Sequence, residues 1–435
     1  MIFELSPFFG FLPLAVFIGL MLMGKSMVLA VLIAFFSGAI LTGTSPVGIG
    51  EAALGGLGSF LGLIGFIIML ASGLGEILMR TKVAPNIVRL VIKIANIRTQ
   101  DHAMVATLLI STGMSAMLGT MTGANALLAP ILISVVAALG ITKSTLGVLL
   151  HGGGAVGLMT GPFVPHMVTI LNLTGLPYGE FMLTTGVPFG IMMLTTTFLV
   201  ARKVQRDTVG LAEYAPDEVS SQDFEVTSSI KRGTATFLIG MVILIGYGLY
   251  IGGGATYAIF IMLVMTFLVG IATGMTPSKI TEASMSGFSR LAPIFLTFSM
   301  FYPIMNFVRD MGALTALAQL LSPAIEAGGQ LGLMLIITVV GIFGLSGAAV
   351  ANAAVIHETF GMAAIEAGLG ISVWTATLIV SSQINSFAYP GADMIAQMGL
   401  ARSNDIKAMM LNGLSLVLAT FVFIIIRGII LIAFG

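Results

Sequence analysis

The sequence predicts an all-α polytopic membrane protein. It is expected to consist of two inverted repeats, each of about five transmembrane helices plus one re-entrant hairpin, with broken helices at mid-membrane. Three observations predict this. The 435 residues are 57% hydrophobic and 8% charged, with a mean hydropathy of +1.09, whereas soluble domains are roughly a quarter charged. The sequence is written twice. Its Lys and Arg residues fall almost entirely on one side of the layout that the apolar stretches dictate.

Repetition is the most specific of the three. Gly43-Thr44-Ser45-Pro46, with Glu51 and Gly56 beyond it, returns as Gly274-Met275-Thr276-Pro277, with Glu282 and Gly287, a constant 231 positions later. Gly123-Ala124-Asn125-Ala126 recurs as Val350-Ala351-Asn352-Ala353, and Gly140-Ile141-Thr142 as Gly370-Ile371-Ser372. Small register shifts separate these matches, as insertions between old duplicates would leave. Each copy carries polar breaks inside apolar sequence. Paired, interrupted hydrophobic segments in two halves point to the binding site of a secondary carrier.

A spanning helix needs about 20 apolar residues. Crossings are predicted near 8–24, 26–43, 55–79, 144–172 and 179–201 in the first half. The second half gives 233–251, 255–274, 289–308, 372–388 and 408–430. Two further apolar stretches, 103–139 and 331–369, are interrupted by Gly119-Thr120-Met121-Thr122-Gly123 and Gly344-Leu345-Ser346-Gly347. They read as re-entrant hairpins. The repeats are therefore 1–204 and 233–435, and 205–232 is the one long polar stretch, with Asp207, Glu213, Asp217, Glu218, Asp223 and Glu225. A solvated cytoplasmic linker is expected there. Pro85 to Ile97 is amphipathic, with Arg89 and Lys93 four apart, and reads as an interfacial helix matched on the other side near 313–327. No cleaved leader is expected, because the first apolar stretch follows Met1-Ile2-Phe3-Glu4 without a basic segment.

Positive charge tests this layout, since cytoplasmic loops should hold the Lys and Arg. With the N-terminus outside, 16 of the 18 fall inside, and only Arg309 and Arg427 fall outside. Counting either hairpin as an extra crossing damages that balance. Five crossings per half is an odd number, so the second copy enters the membrane upside down. Both termini are expected outside, in a bacterial cytoplasmic membrane.

Composition also excludes. The formal net charge is zero, which leaves no basic face for nucleic acid. Cysteine is absent, ruling out disulfides, thiolate metal sites and cysteine catalysis. No cofactor and no metal is expected, because the histidines lack ligand spacing. Nothing resembles a phosphate-binding loop, a nucleophile elbow or a kinase signature, so an enzyme is not expected.

Irregular backbone at membrane depth is tolerated only where it lines a cavity or is buried in protein. The breaks are thus the natural binding region. The first hairpin tip offers Thr120, Thr122, Gly123 and Asn125; the second offers Ser346, Gly347 and Asn352. Helix N-termini at such tips present free N–H groups to a carboxylate. A second pair of breaks is expected where glycine and proline concentrate. One runs from His151-Gly152-Gly153-Gly154 to Gly161, Pro162, Pro165 and His166. The other runs through Ser381, Ser382, Gln383, Asn385 and Ser386 to Tyr389-Pro390-Gly391 and Asp393. The polar run 381–386 is expected to meet solute or ion. Ionisable groups within spans are functional candidates by default, so His151, His357, Glu358 and Asp393 are the candidates for ion or proton coupling.

The doubled layout of scaffold helices, hairpins and broken helices resembles the ion transporter superfamily of secondary carriers. Within it, Gly161-Pro162-Phe163-Val164-Pro165-His166, then Leu173-Thr174-Gly175 and Gly186-Val187-Pro188, resembles a segment of the gluconate permeases. The family pattern has adjacent prolines before its histidine and another Pro-Gly after it. This chain separates Pro162 from Pro165 and places Met167 after His166. The resemblance implies a homodimer or larger homo-oligomer, with a moving transport domain made of the hairpins and crossings 144–172 and 372–388.

The expected function is secondary active transport of a small organic anion, a sugar acid or carboxylate, coupled to H+ or Na+ by alternating access. The competing expectation is a Na+/H+ or Na+/organic-acid antiporter of the same architecture. There, Asp393 or Glu358 would exchange the proton.

Overall fold

The computed structural model describes residues 6–23, 25–95, 98–162, 164–215, 225–251, 255–344 and 349–434. Among these, all regular structure is helical. The first half runs α1 (Leu12–Leu22), α2 (Met27–Thr42), α3 (Pro46–Leu57), α4 (Phe60–Arg80), α5 (Val83–Ala95), α6 (Gln100–Leu118), α7 (Met121–Ala138), α8 (Lys143–Thr160), α9 (Pro165–Thr174), α10 (Tyr178–Phe181) and α11 (Val187–Thr208). The second runs α12 (Ser228–Tyr250), α13 (Ala255–Ala272), α14 (Pro277–Asp310), α15 (Ala313–Ile342), α16 (Ala349–Glu366), α17 (Ile371–Gln383), α18 (Asn385–Ala388), α19 (Ala392–Leu400) and α20 (Ile406–Phe434). Seven helices among the described residues are long and apolar enough to cross a membrane. The chain is an integral membrane protein.

Local chemistry sets these boundaries. Ser26, Ser45, Ser59, Thr99, Thr142 and Thr276 cap helix starts, each accepting a backbone N–H three residues on. Pro46, Pro165 and Pro277 stand at the first helical position, where a missing N–H is harmless. Gly43 and Gly119 end α2 and α6 in the left-handed conformation, φ 67° and 69°, which favours glycine.

The order of elements and individual bonds in one half have counterparts in the other. α6–α7 corresponds to the end of α15 with α16, and α8–α9 to α17–α18 with α19. Gln100 Nε2 donates to Leu139 O at 2.8 Å, tying the ends of the first hairpin; Gln330 Nε2 donates to Ala367 O at the same distance in the second. α14 packs closely on α4 at Gly287 and on α3 at Gly56, the repeated glycines. A Cβ on Gly287 would lie 2.5 Å from Ser72 O, and one on Gly56 would overlap Ser299 O. Ser72 Oγ then donates to Gly287 O at 2.8 Å.

Several expected boundaries move. The predicted crossing 55–79 is interrupted at Gly58-Ser59, where Ser59 starts α4, whereas 289–308 lies inside the 34-residue α14. The second hairpin is entered through a kink at Gly329 (φ 57°, ψ −153°) that joins it to the preceding helix. Gly152, Gly153 and Gly154 do not unwind α8. Their missing side chains let neighbours close in: a Cβ on Gly153 would lie 2.7 Å from Leu108 O, and one on Gly152 would overlap Thr197. Nor does the 381–386 run unwind. It keeps right-handed helical backbone through a turn at Ile384 that separates α17 from α18, and extended backbone begins at Tyr389 (φ −149°, ψ 162°), inside the expected break, because Pro390 lacks the N–H that continuation would need. The first hairpin turns at Gly119-Thr120 and α8 ends at Gly161, both inside the expected breaks.

Candidate functional site

A cavity of about 540 Å³ lies between the α4–α14 crossing and the four broken elements. α4 contributes Ser72 and Glu76, α14 contributes Arg290, and the first hairpin contributes Thr120, Thr122 and Gly123. The start of α9 adds His166, the start of α16 adds Val350, and Gln383 and Asp393 complete the polar lining. Three helix starts thus converge on one space, those of α7, α9 and α19, with Ala349 and Val350 of α16 bordering it. Each start presents unpaired N–H groups and a positive dipole end. Such a setting suits an anion.

Local sequence explains how these residues reach the cavity. Thr120 is the residue before α7, and its hydroxyl occupies the position where a side chain on Gly123 would sit. Glycine at 123 therefore leaves room for Thr120. Thr122 is exposed to the cavity and its Oγ1 accepts from Gln397 Nε2 at 3.3 Å. His166 and Asp393 are the second residues of α9 and α19, separated by the same 227 positions as Asn125 and Asn352. One break thus offers an imidazole where its duplicate offers a carboxylate.

His166 is buried, and its Nε2 lies 2.7 Å from Ser382 Oγ. Ser382 gives its own proton to Leu378 O at 2.6 Å, so Nε2–H donates to the serine. Nδ1 of His166 is buried with no partner among the described residues. Gln383 reaches Ser386 Oγ through its Nε2 at 3.4 Å, while its buried Oε1 has no partner among the described residues. Asp393 Oδ2 accepts from Ser386 Oγ at 3.4 Å. Buried polar groups are normally satisfied. Both atoms, a ring nitrogen and an amide oxygen, are enclosed, on two residues that line one cavity.

Other expected site residues lie elsewhere. Asn125 is fully buried and its amide is engaged through both ends: it accepts from Ser111 Oγ at 2.8 Å and donates to Leu150 O at 2.9 Å and Gln397 Oε1 at 2.7 Å. Asn352 Nδ2 donates to Ser382 O at 3.3 Å, mirroring the Asn125 bond to Leu150 O. Gly153 is buried against α6, its carbonyl accepting from Thr112 at 2.9 Å. Gly161 and Pro162 form the break itself, without lining the cavity. Ser381 returns its hydroxyl to Thr377 O at 2.7 Å. Asn385 is buried, accepting from Ser386 at 3.3 Å. Ser346 and Gly347 lie outside the described residues.

The remaining coupling candidates are also outside the cavity. His151 sits inside the bundle against Asn412 at 3.4 Å and Phe387. His357 accepts from Trp374 Nε1 at 3.3 Å. Glu358 pairs with Arg309 at 3.0 Å, and both side chains are at least a third exposed. Its carboxylate is therefore compensated at the surface. Asp393 alone of the four lines the cavity.

Sequence reasoning passed over the cluster of Glu76, Arg80 and Arg290. Arg80 Nε and Arg290 Nη2 each hold one Glu76 oxygen at 2.8 Å. The four-residue spacing of Glu76 and Arg80 was a readable signal. Arg290, 214 positions away, was not.

The fold resembles solved transporter structures. The YdaH transporter of Alcanivorax borkumensis aligns over 90% of this chain and 90% of its own, with 16% identity and a TM-score of 0.56. MtrF of Neisseria gonorrhoeae, from a class of antimetabolite efflux pumps, aligns over 87% of this chain and 83% of its own, with 14% identity and a TM-score of 0.58. No protein-family model and no curated protein matches the sequence. At this identity the likeness shows the fold: a polytopic, all-helical membrane architecture in which known transporters are built.

Proposed function

We propose that the chain is a secondary active transporter that moves a small organic anion, coupled to H+ or Na+ by alternating access. The observation that carries this is the convergence of the starts of α7, α9 and α19 on a cavity lined by the polar side chains of Thr122, His166 and Gln383. Helix starts neutralise a carboxylate without a buried cation, and the amide and imidazole supply directional bonds. The cavity is about the size of small-molecule sites. The fold shared with YdaH and MtrF supports transport in place of catalysis.

The two halves are read as inverted repeats, the hairpins as re-entrant, and the chain as a homodimer or larger homo-oligomer of a bacterial cytoplasmic membrane. The charge count supports this orientation, with the Glu76–Arg290 end of the cavity facing the cytoplasm. A sugar acid or simple carboxylate remains the proposed solute; the gluconate permease resemblance stands on its short motif alone. Asp393, the one cavity carboxylate outside the Glu76 cluster, favours a second reading: exchange of a proton or sodium ion there, as in an antiporter. Export is the direction suggested by the efflux class of MtrF.

The test is uptake of labelled gluconate, lactate and succinate into proteoliposomes under imposed proton or sodium gradients. Gradient-driven accumulation of one of them is expected. Sodium-dependent pH change in the lumen with no accumulation would replace the symport reading with the antiporter.

A further inference from the structure

We propose that Arg290, held by Glu76 at the rim of the cavity, receives the carboxylate of the incoming solute and sets the preference for anions. This rests on the transport reading above and names a recognition residue for it. Glu76 and Arg290 both line the cavity, Glu76 on α4 and Arg290 on α14. The Glu76 carboxylate is largely enclosed, at 14% side-chain exposure, whereas Arg290 is 63% exposed. Each Glu76 oxygen is engaged by a different arginine, Arg80 on Oε1 and Arg290 on Oε2. Two guanidinium groups therefore share one carboxylate, and the cluster keeps one positive charge in excess beside the cavity.

Arg290 is the member free to use that charge. One of its nitrogens holds Glu76, while a guanidinium has five N–H donors. The rest of its exposed fork can pair with a second carboxylate in the planar geometry that arginine favours. The internal duplication shows that the fold does not require the charge. At the 231-residue offset, Arg290 corresponds to Ser59 and Glu76 to Phe307. Ser59 is a helix cap, and Phe307 packs on Phe35 and Gly38. The corresponding positions of the other half thus carry an uncharged cap and an apolar ring that packs on α2. An ion-pair cluster at the cavity end alone is a departure specific to that rim. Solute and Glu76 would compete for Arg290, so removing either partner should shift recognition in opposite directions.

The chain has no cysteine, which gives a test that needs no known solute. Thr122→Cys places one thiol in the cavity. Its rates of modification by an anionic (sulfonatoethyl) and a cationic (trimethylammonioethyl) methanethiosulfonate are compared in the purified full-length protein. Arg290→Gln is expected to lower the anionic-to-cationic ratio by about threefold or more, and Glu76→Gln to raise it, because a charge lining a confined site changes the local ion concentration. Arg290→Lys should retain most of the ratio, and it serves with Glu76→Gln where Arg290→Gln fails to fold. In liposomes carrying a transported anion, Arg290→Gln should raise KM with little change in maximal rate, and Glu76→Gln should lower KM. Unchanged labelling ratios, or ratios moving the same way in both charge-removing variants, would overturn the proposal and leave the cluster a tie between α4 and α14. Absence of anion transport in the wild type, with the ratios shifting as expected, would sink the transport reading but not the electrostatic role of Arg290.

Discussion

Asn125 Nδ2 donates to Gln397 Oε1 at 2.7 Å, joining the first hairpin to the short helix after the second break across 272 residues of sequence. Gln397 then reaches Thr122 on the cavity wall. Asn125 is fully buried and does not line the cavity, yet it fixes residues that do. Asn125→Ala should therefore act through stability, leaving Gln397 Oε1 buried without its donor while Ser111 and Leu150 keep their bond to each other, at a loss of roughly 1–3 kcal/mol. A thermal melt of the detergent-solubilised protein checks this. Unchanged melting with abolished transport would return Asn125 to a direct solute role.

His166 should behave differently. Its ring lines the cavity, so His166→Ala removes the hydrogen bond to Ser382 and the proposed solute contact together. Transport is expected to fall about tenfold or more, as when a directional contact is lost, with melting little changed. Ser382→Ala should cost less transport, because the serine hydroxyl is committed to Leu378 O. Initial rates of the two variants, measured side by side, decide the point.

Asp393→Asn separates coupling from binding. The amide keeps the shape and the contact with Ser386 but removes the only cavity carboxylate outside the Glu76 cluster. Gradient-driven accumulation should be lost while solute exchange across liposomes without a gradient persists. Loss of both, with normal folding, would make Asp393 part of the solute site itself.

Glu358→Gln is expected to leave transport within about twofold. Its partner Arg309 lies beside it in an exposed ion pair, and such pairs contribute only about 0–1 kcal/mol. A severe transport defect would restore Glu358 as a coupling residue.

Gly287→Val should prevent folding. The added side chain would press into the backbone of α4 at Ser72, and overpacking there costs about 1–3 kcal/mol or more. Gly56→Val should do the same against α14. Gly50 and Gly55 meet nothing within 4 Å, so alanine at either should be tolerated. Yield of monodisperse protein after membrane extraction distinguishes the two classes.

Much of the architecture was legible in the residues themselves because its causes are local. Hydropathy over about 20 residues measures transfer into lipid, and glycine, proline and capping hydroxyls end helices wherever they stand. That placed the hairpin turn at Gly119-Thr120 and the break after Gly161. Duplication made Asn125 and Asn352, or Gly56 and Gly287, recognisable as equivalent before any contact was known. The same local reasoning failed at Gly152–Gly154 and at 381–386. A glycine run and a polar run unwind a helix only if nothing else satisfies them, and here packing against Leu108 and Thr197 and hydroxyl bonds to the helix's own carbonyls do so. Which side of a helix a residue presents, and what waits there, depends on neighbours hundreds of positions away. The sequence alone therefore determined a doubled, interrupted membrane bundle. Only the tertiary structure decided that Asn125 is consumed in packing, that Glu358 is answered by Arg309, and that His166, Gln383, Asp393 and Arg290 share one cavity. Burial and pairing are properties of juxtaposition, which periodicity along the chain does not encode.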